Sequence, residues 1–480
     1  MPPPLSHLIS RVRHGWVAIA LLTGCAPMQD PPHQPAEPFA VESQVTRAPC
    51  GHILTNANVW SPDSRWLAYD VRSDVEGSVF DGRRIERVNV ESGETQLLYA
   101  SQRGACCGVV SYDPAATDPQ AERIAFILGP EDPTANWSYA ANHRQGVFVR
   151  TAFPLIAHNL DARDLVAPFT PGALRGGSHL HLFSPDGQWV SFTYEDAVLP
   201  EPADPRRRPN QQANARNLGV SVPTGQPTLP AHNHPRNASG TLFSVLVTAT
   251  TDRPAPGSDG ITRAHEEAWI GERGYARPDG SWQRRALAFQ GDVRLADGRS
   301  ISEVFVVDIT EDVTHAGAGP LCGTPDRLPF PPAGVAQRRV THTEHRRYPG
   351  LQGPRHWLRA SPDGSRIAFL ARDDAGVVQL WTVSPNGGPI TQVTGDPWSV
   401  DSAFTWSPDG TLIAYVADNS IFTVNAATGT STRRTPRTED SSRPLALACV
   451  FSPDGRKLAY LRRVIQDSQT WNQIFVATLR

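Results

Sequence analysis

The sequence predicts an all-β chain folded as a β-propeller of about seven four-stranded blades, and three observations carry that expectation. A unit of the form alternating strand, Ser-Pro-Asp-Gly, alternating strand recurs as "VWSPDSRWLAYD", "LFSPDGQWVSFTY", "RASPDGSRIAFL", "TWSPDGTLIAYV" and "VFSPDGRKLAYL", with "SYDPAATDPQAERIAFI" as a stretched copy. The last three copies put their turn serines at Ser361, Ser407 and Ser452, steps of 46 and 45 residues, close to the ~40–45 of a propeller blade. The 44 prolines and 38 glycines, against 2 methionines, break the chain into short segments joined by turns rather than long helices.

Taken in order, the chain begins with an export signal. Arg11 and Arg13 form a small basic region and "WVAIALLTG" a short apolar run; a membrane-spanning helix would need ~20 apolar residues. Residues 1–24 are therefore read as a signal peptide. Leu22-Thr23-Gly24-Cys25 resembles the bacterial lipobox, and the resemblance implies cleavage before Cys25 and lipidation of its sulfur. Ala26 rather than Asp follows, which implies an outer-membrane anchor facing the periplasm. Residues 25–49 then read as the lipidated cysteine and a Pro-rich tether, with "FAVESQVT" lending a closing strand to the last blade.

Residues 50–480 are expected to hold the propeller, with insertions near 195–217 and 251–283 in the third and fourth blades. In each repeat Pro presets φ for a turn that Asp and Gly close, and in the fifth blade "VVQLWTVSP", "NGG" and "PITQVTG" complete the outer hairpin. The fourth blade reads as long and irregular: it starts near "GTLFSVLVTATT", returns at "RALAFQGDV" and ends with "VFVVDIT" and "QRRVTHT". Cys50, Cys106, Cys107, Cys322 and Cys449 are odd in number once Cys25 is lipidated, and no zinc-finger spacing joins them. Forty-five basic against forty-eight acidic residues, a formal charge of -3, leave no basic excess for nucleic acid.

These units resemble the TolB-type, WD40-like repeat of bacterial periplasmic propellers. The segments "IERVNVESGETQLLY", "GVAQRRVTHTEHRRYPG" and "PRHWLRASPDGSRIAFLARDD" also resemble the YidR-like propeller family, over nearly the whole chain after the tether. Through that family the chain is distantly similar to oligogalacturonate lyases, a resemblance that implies channel histidines, a divalent metal and an acidic pectin fragment as substrate.

Candidate site residues follow from the register of the repeats. His179 and His356 each lie five residues before their turn serines, Ser184 and Ser361, so they share a position on the innermost strands of the third and fifth blades. The same position holds Asn56, Ser402 and Leu447. Two residues deeper come Asn58, His181, Leu358, Phe404 and Cys449, a more apolar tier, which suggests a channel closing towards the turns and open at the opposite face. "LPAHNHPRN" is read as entering the fourth blade between the two, which adds His232 and His234. Neutral imidazoles suit Mn or Zn, so His179, His234 and His356 are the expected metal ligands, and inter-blade hydrogen bonding is the plainer role for the same histidines. Arg359 and Asn56 are expected to bind ligand, and Arg355 and His181 to carry any catalysis. Arginine forks suit carboxylates; the run Arg206-Arg207-Arg208 reads as a solvated loop.

Several enzyme signatures are absent. "HEEAW" has Trp269 where a zinc-protease helix needs its second histidine. No Gly-x-Ser-x-Gly elbow, phosphate loop or dinucleotide fingerprint occurs. Two function classes remain: an envelope lipoprotein whose channel face binds a protein partner or an acidic, uronate-type ligand, and a metal-dependent lyase that removes the α-proton of a uronate by β-elimination. The first is favoured.

Overall fold

The structure is a computed structural model, and it describes residues 39–480 apart from 56–57 and 75–76. Cys25, the signal segment, most of the tether and Asn56 lie outside the described residues. Those described form seven four-stranded antiparallel sheets arranged as a β-propeller. Apart from two three-residue 3-10 turns, Ala141–His143 and Asp440–Ser442, no helix occurs among them.

Each repeat makes the two inner strands of a blade, and wherever Ser-Pro-Asp-Gly occurs its turn is built alike. In the third, fifth, sixth and seventh blades the glycine N–H donates to the serine carbonyl three residues back, at 2.7–2.9 Å. The serine hydroxyl donates to the aspartate at 2.5–2.6 Å. These glycines sit near φ +70°, where a side chain is costly. The first blade has Ser64 there, at φ +60°, and its hydroxyl accepts the Asp454 N–H of the seventh blade at 3.1 Å.

Cores lie between blades rather than within them, because each sheet buries both faces. Trp189, Leu218 and Val220 of the third blade pack on Ile261, Leu287 and Phe305 of the fourth; comparable clusters join the fifth to the sixth and the seventh to the first. Val41–Gln44 pairs with Gln469–Thr478 as the outermost strand of the seventh blade, so a single sheet holds strands from both ends of the described chain.

The fourth blade differs from the sequence reading. Phe243–Leu246, expected to start it, pairs with Asn217–Val222 and is the outermost strand of the third blade. The innermost strand of the fourth is Ile261–Trp269, inside the stretch 251–283 that was read as an insertion. The apolar pattern of Phe243–Leu246 is plain in the sequence, whereas the real inner strand carries Arg263, His265, Glu266 and Glu267 and is bulged twice, which hides its period. What remains inserted is a loop before that strand and a hairpin after it, Tyr275–Ala276 paired with Trp282–Gln283.

Two cavities among the described residues bear on the expected site. The larger, about 1000 Å³, opens among the Ser-Pro-Asp-Gly turns and is lined by all seven blades. The smaller, about 490 Å³, is lined by residues of the second to fifth blades where the inner strands begin. The expected closure on the turn side does not occur, because Leu358, Phe404 and Cys449 are buried in inter-blade cores and leave the axis open.

Candidate functional site

The smaller cavity owes its side chains to one repeated irregularity. The innermost strands of the second, third and fourth blades, Cys107–Tyr112, Gly176–Phe183 and Ile261–Trp269, each carry a residue at positive φ: Val109, Leu180 and Glu266. In each, three steps on the inner strand match two on its neighbour, between Gly108 and Ser111, His179 and Leu182, and His265 and Ala268. Such bulges re-aim side chains. They make His179 equivalent to His265, which both line the cavity, and His181 equivalent to Glu267, which are buried and do not line it.

His179 is half-buried. The Thr193 hydroxyl donates to the His179 carbonyl at 3.1 Å, so its oxygen accepts the Nδ1–H at 3.2 Å and Nε2 keeps its lone pair. Burial, then the charges of Arg144, Arg216 and Arg355, hold its pKa well below the ordinary value. The ring is neutral. His265 is the opposite case: Nδ1 bonds Glu266 Oε2, and Nε2 lies 3.2 Å from Asp292 Oδ1, which also accepts the Ser302 hydroxyl at 2.6 Å. Burial acts to lower its pKa, but the bonds to Asp292 and Glu266 outweigh it and raise the value. Glu266 is pushed up by burial and more strongly down by His265 and Arg355, to about 2.

Four arginines complete the wall. Arg355 Nε donates to Glu266 Oε1 at 2.6 Å, and its guanidinium lies over Trp357. Arg216 Nε donates to Glu195 at 2.8 Å. Arg144 donates to the Tyr139 hydroxyl at 3.0 Å and Arg263 is exposed; neither makes an ion pair among the described residues, though the Arg263 charge helps to lower the Asp292 pKa. Gln290 donates to the His356 carbonyl at 2.8 Å.

His356 lines the same cavity, but its nitrogens are both engaged: Nδ1–H donates to the Pro354 carbonyl at 2.9 Å, and Nε2 accepts the Leu370 N–H at 3.2 Å. Burial lowers its pKa to about 4. It is a neutral packing residue and has no lone pair for a metal. His234 is not in the cavity at all. It sits in the loop before the outermost strand of the third blade, where its Nδ1 accepts the Arg236 N–H at 3.2 Å.

Residues 106–238 match a family described as "Protein of unknown function (DUF3748)". Uncharacterized protein YidR of Escherichia coli (strain K12) is 45% identical over 432 residues, covering 89% of this chain and 95% of that protein. The chain belongs to the YidR family. Among solved structures, an oligogalacturonate lyase in complex with manganese aligns with a TM-score of 0.53 at 13% identity, over 92% of this chain and 93% of that one. The oligogalacturonate lyase of Vibrio parahaemolyticus aligns with a TM-score of 0.51 at 11% identity, over 92% and 94%. At such identity the likeness to the lyases shows the propeller fold alone.

For this YidR-family chain the expected metal set does not assemble. Among the described residues no three His, Cys, Asp or Glu converge as a metal ion requires; His179 alone of the expected ligands offers a free lone pair to the cavity. The residues therefore do not fit the manganese of the lyase or a zinc. His181 is buried with Nε2 3.0 Å from the Ser178 hydroxyl, outside the cavity, and Arg359 lines the other cavity. What the sequence reading missed are Arg144, Arg216, Arg263, His265 and Glu266. The signal was present as charge on a strand: "ITRAHEEAW" carries four charged or titratable residues between apolar ones, out of place in an insertion hairpin and fitting for the wall of a polar cavity.

Proposed function

We propose that this protein is a binding protein of the bacterial envelope, held by a lipid on Cys25 at the periplasmic face of the outer membrane, whose smaller cavity takes the carboxylates of an acidic, uronate-type sugar. The observation that carries the reading is the surplus of cations there: four arginines and a histidine that donates to two carboxylates stand against Glu266, Glu195 and Asp292, and Arg144 and Arg263 make no ion pair among the described residues. Guanidinium forks pair with carboxylates in two parallel hydrogen bonds. The His179 lone pair can accept a sugar hydroxyl beside them.

Binding is favoured over β-elimination because the two residues expected to catalyse are unsuited to it: Arg355 is tied to Glu266, and His181 is buried elsewhere. Titration calorimetry of the full protein with trigalacturonate tests the proposal. Affinity should fall about tenfold with Arg144→Ala and fall again with added salt. Equal affinity in both proteins, or no binding by the wild type, would sink it.

A further inference from the structure

We infer that the larger cavity, on the turn face, is a second and separate ligand site, for a ring-bearing carboxylate: an apolar aromatic body with one anionic group. At about 1000 Å³ it is of the size that encloses a small organic ligand. Its wall is carbon. Trp60, Trp269 and Trp406 line it with their N–H groups already donated to the neighbouring blade, to the carbonyls of Val450 (3.1 Å), Leu182 (3.0 Å) and Arg359 (3.0 Å). Those indoles offer a ligand only ring surface, and Phe183, Phe451 and the turn prolines continue it. The hydroxyls that could have made the wall polar are turned away: Ser361, Ser407 and Ser452 donate to Asp363, Asp409 and Asp454, and Thr405 donates to the Cys449 carbonyl at 3.0 Å.

Apart from Arg359 of the fifth blade, the charge lining the cavity is gathered on one side, on and beside the hairpin of the fourth blade. Arg285 closes on Asp186 with two hydrogen bonds. Arg284 is exposed and only distantly paired, 3.7 Å from Asp186 and 3.9 Å from Glu311. Arg273 is exposed with no ion pair among the described residues, and Glu272 is the one other carboxylate lining the cavity. Between the arginines stands Trp282, 55% exposed, its N–H donated to the Arg273 carbonyl at 2.5 Å. An exposed tryptophan with its polar edge satisfied and its ring fixed is a stacking platform held ready. A ligand ring can lie on Trp282 and the inner indoles while its anionic group meets Arg273 and Arg284, which also stack and pair at once.

The test uses the full protein and the probe 8-anilinonaphthalene-1-sulfonate, followed by its fluorescence, with 1-naphthoate and neutral 1-naphthalenemethanol as competitors. One saturable site should appear, displaced by naphthoate at least fivefold better than by the alcohol. Arg273→Ala with Arg284→Ala should weaken the probe about tenfold, Trp282→Ala about fivefold, and Trp282→Phe should restore most of the loss. Arg144→Ala, in the other cavity, should leave the probe unaffected; failure of the uronate proposal thus leaves this one standing. Equal displacement by the neutral alcohol, indifference to the hairpin variants, or sensitivity to Arg144→Ala would each overturn it.

Discussion

Glu267 is the most consequential buried group that the proposed binding does not use, and its replacement by glutamine gives a sharp prediction. It lies on the innermost strand of the fourth blade, fully buried, with neither carboxyl oxygen in a hydrogen bond. Burial pushes its pKa up to about 8, tempered by its own backbone N–H, with Glu266 adding to the rise and Arg216 and Arg359 opposing it. The unfolded chain releases this proton near 4.5, so the folded state binds more protons across the interval. Stability is then full below pH 4.5 and is lost as pH rises towards 8. At ~1.4 kcal/mol per pH unit, the loss is about 3 kcal/mol at pH 7 and about 5 above pH 8. Gln has the shape of the neutral acid and cannot ionise. Glu267→Gln should match the wild type at pH 4 and exceed it at pH 7 by roughly 3 °C in melting temperature, since a chain of this length shifts only ~1 °C per kcal/mol. Differential scanning calorimetry of both proteins from pH 4 to 9 reads the gap. A difference that stays constant with pH, or a wild type that is the more stable at pH 7, would show that Glu267 is solvated or paired and refute the reasoning.

Other expected outcomes can be checked more briefly. His356→Ala should lower stability by about 3 kcal/mol in urea unfolding, because it strands the Pro354 carbonyl and the Leu370 N–H, and should leave metal content unchanged. Gly364→Ala should cost clearly more than Gly410→Ala: both sit near φ +70°, but a Cβ on Gly364 would stand 2.0 Å from the Gly274 carbonyl oxygen, against 3.3 Å from Pro362 for Gly410. Because His265 donates one N–H to each of two carboxylates and its pKa is raised, trigalacturonate affinity should weaken as pH climbs above the ordinary imidazole value, and a pH-independent affinity would remove His265 from the cationic set. Cys25→Ser should move the protein from the membrane to the soluble fraction, and persistence with outer membrane would end the lipid-anchor reading.

The propeller was legible because its repeat is local chemistry. Ser, Pro, Asp and Gly act within four residues of one another, and the same hydrogen bonds recur wherever the four occur. The fourth blade was misplaced because its turn, Arg277-Pro278-Asp279-Gly280, lacks the serine, although the Gly280 N–H still donates to the Arg277 carbonyl at 3.0 Å. Its inner strand is joined to the next by the hairpin around Tyr275 and Trp282, and the apolar alternation of Phe243–Leu246, a true strand of the third blade, lay where the missing start was sought.

The site was only half legible, for a reason that the bulges make plain. Counting back from a turn serine assumes that every inner strand alternates without interruption. One extra residue at Leu180 breaks the count in the third blade, so His179 and His181, two apart in sequence, do not stand one above the other in the channel: His179 lines the cavity and His181 is buried. The same break at Glu266 places His265 at the cavity and Glu267 in the interior. The fifth blade has no equivalent bulge, and its regular inner strand starts only at Arg359. His356 therefore precedes the strand, and the Pro354 carbonyl and the Leu370 N–H engage both of its nitrogens. Equal spacing to the turn thus gave His179 and His356 a shared wall without a shared chemistry: one keeps a lone pair for a ligand, and the other uses its own to hold the fold.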